Sequence, residues 1–411
     1  MYMRSGRRPL PRGWMLVVLV LCALGLAACG GKSSSSGSSG SSASSTSSAS
    51  STSTSGGGSG AISASTLSSL QAKLQKAEQP PAFTAPGPPA SASVLKGASL
   101  VVFPINSEID ACQTQATDFA ALGRQLGAHV TQISNSGQPS QWQSAVGDAV
   151  AGHDKAVAML CGVIPGALGP QLTAAKNAGV IVVDGNYNDT NDYTGLDGET
   201  AVQTTQSLQN DVDDAIVSLK GKPLHAIFLN SDSVIQGPAA STAVHAEVNR
   251  VCASSCTVTD ITVPIQNWAT AIQSNLASAL VSHPDTNAVI IAFDGMTQFA
   301  LPAVQSSHIS NLHIYTWGGG RPVEKLMQQS NPIVVADPGP DEQWDAYEAM
   351  DQIIRVAGHH PAAPVNQEVD PDRFWVPSNV SSFFGPGGSY GNGGFGGNAF
   401  INGFDKLWGV S

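Results

Sequence analysis

Short apolar runs alternate with amphipathic stretches along most of the chain, and this alternation predicts a repeated strand-then-helix order. Leu100-Val101-Val102-Phe103 is an apolar run without polar alternation, and the stretch from Ala111 to Leu126 follows it with apolar residues at helical spacing. Further predicted strands of the first half lie at 129–133, 156–160 and 180–183. Apolar strands that are separated by amphipathic helices indicate a parallel sheet covered on both faces.

The same order restarts after Thr200, beginning with a predicted helix at 201–219. Predicted strands of this half lie at 225–229, 257–263, 288–292, 312–316 and 333–336. A long amphipathic helix is predicted at 341–357, and the Gly-rich and aromatic tail at 382–402 has no period, which predicts a covering loop or a poorly ordered segment. Two αβ halves of similar size predict an α/β fold of two doubly wound parallel-sheet lobes.

The expected bounds of the two lobes follow from where the repeated order stops and restarts. The N-terminal lobe is predicted to comprise 96–195 and about 340–362. The C-terminal lobe is predicted to comprise 196–339 and about 363–411. Residues 61–95 contain a short helical stretch and a Pro-rich stretch, which we interpret as a lead-in to the folded domain.

The first sixty residues have the pattern of an export signal and a tether. Met15 to Ala28 is an apolar run too short to span a membrane, and Leu26-Ala27-Ala28-Cys29 resembles a bacterial lipobox. Residues 1–28 are therefore predicted to be a lipoprotein signal peptide, with lipidation of Cys29; the alternative is an ordinary cleavage site that happens to hold a cysteine. Arg7-Arg8 leaves Sec and twin-arginine export both open.

A flexible tether is predicted for residues 29–60. From Ser33 to Gly60 the chain contains only Ser, Gly, Thr and Ala, which cannot bury enough apolar surface to fold. Such a coil has an r.m.s. reach of roughly 30 Å. Lipid at one end and a coil of this length predict a globular head on the outer face of the bacterial cell membrane.

Charge and cysteine content agree with export and exclude one class of partner. The chain has nineteen Lys and Arg residues and thirty Asp and Glu residues. The resulting net charge of −11 argues against a nucleic-acid partner. Cys252 and Cys256 are close enough in sequence for a short-loop disulfide, and Cys112 and Cys161 lie at predicted strand ends that are neighbours in such a sheet. Buried free thiols are the alternative for both pairs.

Polar and aromatic residues follow the predicted strands at their carboxyl ends, where open parallel sheets bind ligands. Carboxylate and amide groups hydrogen-bond to hydroxyls, and aromatic faces pack against the apolar face of a sugar or similar ring. Asp and Asn also cap helices at such loops, which is the alternative for each of them singly. The candidate ligand-binding residues are Asn106, Glu108, Asp184, Asn186, Asp232, Phe293, Asp294, Trp317 and Asp337.

From Lys96 to about Gly358 the chain resembles the type I periplasmic substrate-binding proteins, in the sugar-binding branch that serves ABC importers. The segments that carry the resemblance are GASLVVFPINSEIDACQTQATDFAALGRQLGAHV, LTAAKNAGVIVVDGNYND, AVIIAFDGMTQFALPAV, LHIYTWGGGRPVEKL and IVVADPGPDEQWDAYEAMDQIIRVAGHHP. Asp184 matches the family's ligand-binding aspartate. Phe293-Asp294 matches a pair that is usually Asn-Asp, and Gly318 stands where sugar binders usually have an aspartate. An apolar or aromatic ring, or another small polar metabolite, therefore fits Phe293 and Trp317 as well as a sugar does.

The resemblance implies a function. A monomeric binding protein of this family captures a small polar ligand between two lobes joined by a hinge and delivers it to an ABC permease, without a cofactor or a metal. The alternative is a receptor subunit that signals ligand occupancy to a membrane kinase. An exported enzyme is a weaker alternative, because the chain has none of the common hydrolase motifs, and Asp189 to Glu199 does not have the spacing of a calcium loop.

Overall fold

The computed structural model describes residues 61–186, 194–382 and 392–410. The predicted signal peptide, the lipidation site Cys29 and the predicted tether lie outside these residues, as does part of the acidic segment that begins at Asp189. Among the helices that are described, none has the length and apolar character needed to cross a bilayer.

Helices and strands alternate through the described residues. The α-helices there are α1 (Ala64–Ala77), α2 (Asp110–Gln125), α3 (Pro139–Ala151), α4 (Gly169–Ala178), α5 (Thr204–Ser218), α6 (Gly237–Val251), α7 (Trp268–Ser282), α8 (Thr297–Ser306), α9 (Arg321–Met327), α10 (Glu342–Ala357) and α11 (Ala399–Trp408). The strands there are β1 (Ser99–Pro104), β2 (His129–Gln132), β3 (Ala156–Leu160), β4 (Ile181–Asp184), β5 (Gly198–Glu199), β6 (Ala201–Val202), β7 (His225–Asn230), β8 (Thr257–Thr262), β9 (Ala288–Ile291), β10 (His313–Thr316), β11 (Val334–Ala336) and β12 (Val369–Asp370).

Two parallel five-stranded sheets form the centres of two lobes, which confirms the predicted fold class. The first sheet has the order β2-β1-β3-β4-β5 and the second the order β11-β10-β9-β7-β8. In the first lobe α2 packs on α10, α3 packs on α4, and both helix pairs contact the sheet. Val102 and Phe103 of β1 are fully buried, as expected for strands without polar alternation.

Three chain segments lie side by side between the two sheets and form the hinge. β6 follows the first sheet and pairs in parallel with β12, which follows α10. Gly339, between β11 and α10, pairs in antiparallel fashion with Arg373. The predicted helix at 201–219 therefore begins only at Thr204, because Ala201 and Val202 are buried and pair with β12 instead.

The C-terminal residues differ from the sequence prediction in both structure and place. Residues 399–408 form α11, although residues up to 402 were predicted to be a covering loop or a poorly ordered segment. This helix packs on α10 of the first lobe, whereas 363–411 was assigned to the second. The ring of Trp408 stacks on that of Tyr347 at 5.4 Å between centroids, and the ring of Phe400 stacks on that of Trp344 at 4.7 Å. Phe400, Phe404, Leu407 and Trp408 are buried on one face, which drives helix formation despite the Gly-rich flank.

The lead-in segment packs on both lobes, and the first lobe extends slightly beyond its predicted end. Helix α1 contacts α5 of the second lobe, and the Lys73 Nζ lies 2.7 Å from the Asp213 Oδ2. Further along, the ring of Phe83 contacts that of Phe404 in α11. Strand β5 pairs with β4, so the first lobe reaches residue 199 instead of 195.

Both predicted disulfides are formed. Cys112 at the start of α2 is bonded to Cys161 after β3, and Cys252 is bonded to Cys256 between α6 and β8. The first bond closes a loop with a sequence separation of 49 residues, and the second closes one of only 4. The two bonds therefore restrict the unfolded chain to very different extents.

We expect the double substitution Cys112→Ser, Cys161→Ser to lower the free energy of unfolding by about 4 kcal/mol, because chain-entropy loss grows with loop length. The matched control, Cys252→Ser with Cys256→Ser, is expected to cost about 2 kcal/mol. Urea unfolding of both variants measures the difference. Equal losses for the two variants would contradict this interpretation.

Candidate ligand-binding cleft

A cleft of about 60 Å³ lies between the lobes, at the carboxyl ends of both sheets. Its walls come from the segments that follow β1, β3, β4, β7, β8, β9 and β10, together with α2 and the first turns of α7 and α10. This is the edge at which open parallel sheets bind ligands. The two lobes touch across the cleft, since Gln236 of the second lobe hydrogen-bonds to the Asn186 backbone oxygen of the first.

Aromatic side chains form one wall of the cleft. The ring of Phe293 stacks on that of Trp268 with 6.2 Å between centroids and meets the ring of Trp317 edge-on at 6.1 Å. Both indole N–H groups are anchored: Trp268 Nε1 donates to the Val263 carbonyl oxygen at 3.1 Å, and Trp317 Nε1 donates to Asp372 Oδ2 at 2.6 Å. These bonds fix the orientation of the rings that face the cleft.

Amide side chains join the two lobes at the cleft. Gln115 Nε2 donates to Asn186 Oδ1 at 2.8 Å within the first lobe. Gln236 Nε2, from the second lobe, donates to the backbone oxygen of Asn186 at 2.6 Å. Asn186 has a φ of 65°, a left-handed conformation that asparagine tolerates better than most residues. Asn186 is thus the point at which both lobes hydrogen-bond in the closed form.

Three acidic side chains also line the cleft: Asp294, Glu342 and Asp345. Asp294 Oδ2 accepts a hydrogen bond from the Gly320 backbone N–H at 2.7 Å. Burial raises the pKa of Asp294 to about 6, although the backbone N–H groups of Gly320 and Gly295 lower it. Burial also raises the pKa of Asp345 well above its usual range, and the neighbouring carboxyl groups of Asp372 and Asp341 raise it further.

Four of the nine predicted ligand-binding residues line this cleft, and a fifth lies beside it. The four are Asn186, Phe293, Asp294 and Trp317. Glu108 lies in an adjoining depression, which it shares with Asp294. These residues directly follow strands whose carboxyl ends face the other lobe.

The other four predicted residues do not line the cleft. Asn106 Oδ1 accepts from the Glu108 backbone N–H at 2.9 Å and so closes a local turn. Asp337 Oδ1 accepts from the Gly319 N–H at 3.2 Å beneath the surface of the cleft. Asp184 is completely buried, and burial raises its pKa well above the usual range. Asp232 is exposed, because the loop after β7 turns Val234 and Gln236 toward the cleft instead.

The sequence prediction missed several cleft residues, because it considered only residues that follow strands and these belong to helices. Gln115 is a buried amide on the apolar face of α2, Trp268 is the first residue of α7, and Asp345 lies in the first turn of α10. For Asp345, the sequence does contain a pattern that could have indicated its place. Acidic residues at positions 341, 345 and 348 recur at helical spacing on a face that the pattern otherwise predicts to be buried.

Comparison with known proteins gives matches in structure but none in sequence. No family profile and no curated protein sequence matches the chain. The fold is similar to that of an ABC sugar transporter subunit from Rhodobacter sphaeroides (TM-score 0.61, 14% identity, 69% of this chain and 100% of that chain covered). It is also similar to a sugar ABC transporter protein from Yersinia enterocolitica (TM-score 0.64, 15% identity, 80% and 98% covered).

A third similar structure is a carbohydrate transporter protein from Acidothermus cellulolyticus in complex with myo-inositol (TM-score 0.57, 19% identity, 70% and 96% covered). At these identities the likeness concerns the fold. In each case it includes nearly the whole of the other chain, and thus both lobes. The chain therefore has the two-lobe α/β fold of type I periplasmic binding proteins, as found in these ABC transporter proteins.

Proposed function

We propose that the protein is an extracytoplasmic solute-binding protein that captures a small polar ligand, a sugar or a related metabolite, between its two lobes and delivers it to an ABC permease. The observation that carries the proposal is the cleft at the carboxyl ends of both sheets, with its aromatic wall of Trp268, Phe293 and Trp317. The sugar transporter proteins with the same fold support it.

The mechanism requires opening and closing of the lobes about the hinge. The cleft lies between the two lobes, so we expect the ligand to enter when the lobes separate and to be enclosed when they close. The hydrogen bond from Gln236 to the Asn186 backbone crosses the cleft and would break on opening, whereas the β6–β12 pairing belongs to the hinge. A ligand shifts the balance only by binding the closed state more tightly than the open one. Binding and presentation to a permease need no catalytic step.

The proposed place of action follows from the sequence of the N-terminal segment. We propose that Cys29 is lipidated and that residues 29–60 tether the head to the outer face of the cell membrane as a monomer. Attachment would last if Cys29 carries two or more acyl chains, since a single chain anchors weakly. The tether lets the head reach a permease from its anchor.

Ligand binding should raise the melting temperature of the mature chain, with Cys29→Ser replacing the lipidated residue. We expect one chemical class among monosaccharides, polyols, amino acids and nucleosides to stabilise it, by about 2.7 kcal/mol at a concentration of 100 times the Kd. Trp317→Ala should abolish the shift, because the ring lies in the cleft wall. Thermal denaturation of the parent protein and of the Trp317→Ala variant, with and without compounds of each class, measures the change in melting temperature.

The exposed Asp232 provides the matched control. Asp232→Ala should bind as well as the parent protein, because this side chain lies outside the cleft. If the protein is folded and no compound class stabilises it, the result would contradict solute capture. It would favour the alternative of a receptor or scaffold role.

A further inference from the structure

Building on the proposed function, we propose that the solute carries a positive charge: a compact ligand with a protonated amine or an alkylated ammonium group, held between the aromatic wall and the carboxyl groups of Asp294 and Asp345. An amino sugar or an amino alcohol has this chemistry. A neutral sugar or polyol does not.

The first observation is that the ionisable side chains lining the cleft are acidic. Asp294, Glu342 and Asp345 line it, and no Lys, Arg or His does so among the residues that the structure describes. Asp345 is 2% exposed, and its Oδ1 atom has no hydrogen-bond partner. A buried carboxyl oxygen without a donor is costly; a protonated amine would supply an N–H donor to it, and an alkylated ammonium group would stabilise it through its charge.

The second observation is that the layer behind Asp345 is acidic too. On its own helix, Asp341 and Glu348 interact electrostatically with it, and Asp370 and Asp372 do so from β12 and the residues after it. Each of these four side chains is an acid, and none brings positive charge to the cleft. A cation in the cleft would therefore be stabilised by carboxyl groups of the first lobe and the hinge that ionise in its presence.

The surroundings of Asp294 in the second lobe have the same sign. Its charged neighbours are Asp110 at the start of α2, Glu324 in α9 and Asp337 after β11. Arg321, which directly follows Gly320, acts on Asp118 and does not line the cleft. The negative field thus comes from both lobes, and closure brings the two halves together around the ligand.

The third observation is the aromatic wall. Ring faces attract cations through their quadrupole, and recognition of alkylated ammonium groups uses such walls. Along one side of the cleft, the ring centroid of Phe293 lies 6.2 Å from that of Trp268 and 6.1 Å from that of Trp317. Neutral sugars also pack on aromatic rings, so this wall alone does not decide the charge. The wall together with a lining that has three acidic side chains and, among the described residues, no Lys, Arg or His favours a cation.

Cation binding should be coupled to proton release. Burial raises the pKa of Asp345 well above its usual range and that of Asp294 to about 6. A bound cation favours the ionised carboxylates, so it displaces their protons, and lowering the pH opposes binding. A neutral ligand has no charge with which to favour the ionised carboxylates, so its affinity would show a much weaker dependence on pH.

The test is isothermal titration of the full mature chain (Cys29→Ser) with pairs of compounds that differ in charge: choline against 3,3-dimethylbutan-1-ol, and glucosamine against glucose. We expect the charged member of at least one pair to bind at least about tenfold more tightly at pH 7.5. Its affinity should fall about tenfold at pH 5.5, with proton release seen in buffers of different ionisation enthalpy.

Variants locate the effect. Asp345→Asn should weaken binding of the charged member by about tenfold or more and leave the neutral member unchanged, whereas the exposed Asp232→Asn should change neither. If Asp345→Asn does not fold, the comparison of charged and neutral members in the parent protein still decides the matter. Binding of neutral members alone overturns the positive charge and leaves the proposed function standing. Absence of binding by every compound in this set and in the wider ligand panel overturns both.

Discussion

Replacing Gly339 by alanine is expected to destabilise the folded head by about 3 kcal/mol or more. A Cβ atom at this position would overlap the backbone nitrogen of Gly319 and the carbonyl carbon of Gly318. Backbone atoms cannot rotate away as a side chain can, and Gly339 is held from its other side by two hydrogen bonds with Arg373, of 3.1 and 3.0 Å. The substitution therefore strains the hinge itself.

Gly147→Ala is the matched control for this prediction. Gly147 lies exposed within α3, and an added Cβ would meet nothing within 4 Å. Alanine in a helix interior is favoured over glycine by about 0.5–1 kcal/mol, so this variant should gain stability. Urea unfolding of both variants measures the two free energies. A Gly339→Ala protein as stable as the parent would show that the hinge segments are not in contact as described.

The second large effect is a loss of stability as the pH rises from 5 to 7.5. Burial raises the pKa values of Asp294, Asp341 and Asp372 to about 6, above the ordinary value of 3.8 that they regain on unfolding. The folded state thus holds these protons more tightly than the unfolded state. The resulting stability is fully present below about pH 4 and is lost as the pH rises through 6.

Each of these groups contributes a loss of about 1 kcal/mol between pH 5 and 7.5, so the three together lower the free energy of unfolding by about 3–4 kcal/mol. Thermal or urea unfolding at both pH values measures the loss. Asp294→Asn should reduce the loss of unfolding free energy between pH 5 and 7.5 by about 1 kcal/mol, because asparagine does not titrate. A head that is more stable at pH 7.5 than at pH 5 would contradict the burial of ionisable acids described here.

The fold could be predicted further from the sequence than the site could. Long apolar runs such as 100–103 and 288–292 identify their strands, because a parallel sheet buried on both faces needs them. The two-residue strands β6 and β12 leave no such pattern, since only their partner decides their conformation. Helix α11 was hidden by its Gly-rich flank, although Phe400, Phe404, Leu407 and Trp408 have helical spacing.

Cleft residues that directly follow strands could be predicted from the sheet topology. Residues that reach the cleft only through the packing of a helix could not. Asn186 and Phe293 directly follow strands, so the sheet alone brings them to the cleft. Asp345 reaches it only because α10 packs against the first sheet with its first turn at the hinge. Asp232 follows a strand too, yet the local course of its loop turns it to solvent. Such choices depend on contacts distant in sequence.

The central claim is that a small solute binds between the lobes and holds them closed. Its most direct test is the distance between fluorescent labels on the exposed Ser140 of the first lobe and the exposed Gln298 of the second, with and without a compound that raises the melting temperature. We expect the ligand to shift a broad distribution toward one short distance. A stabilising ligand that leaves the distribution unchanged would contradict binding between the lobes.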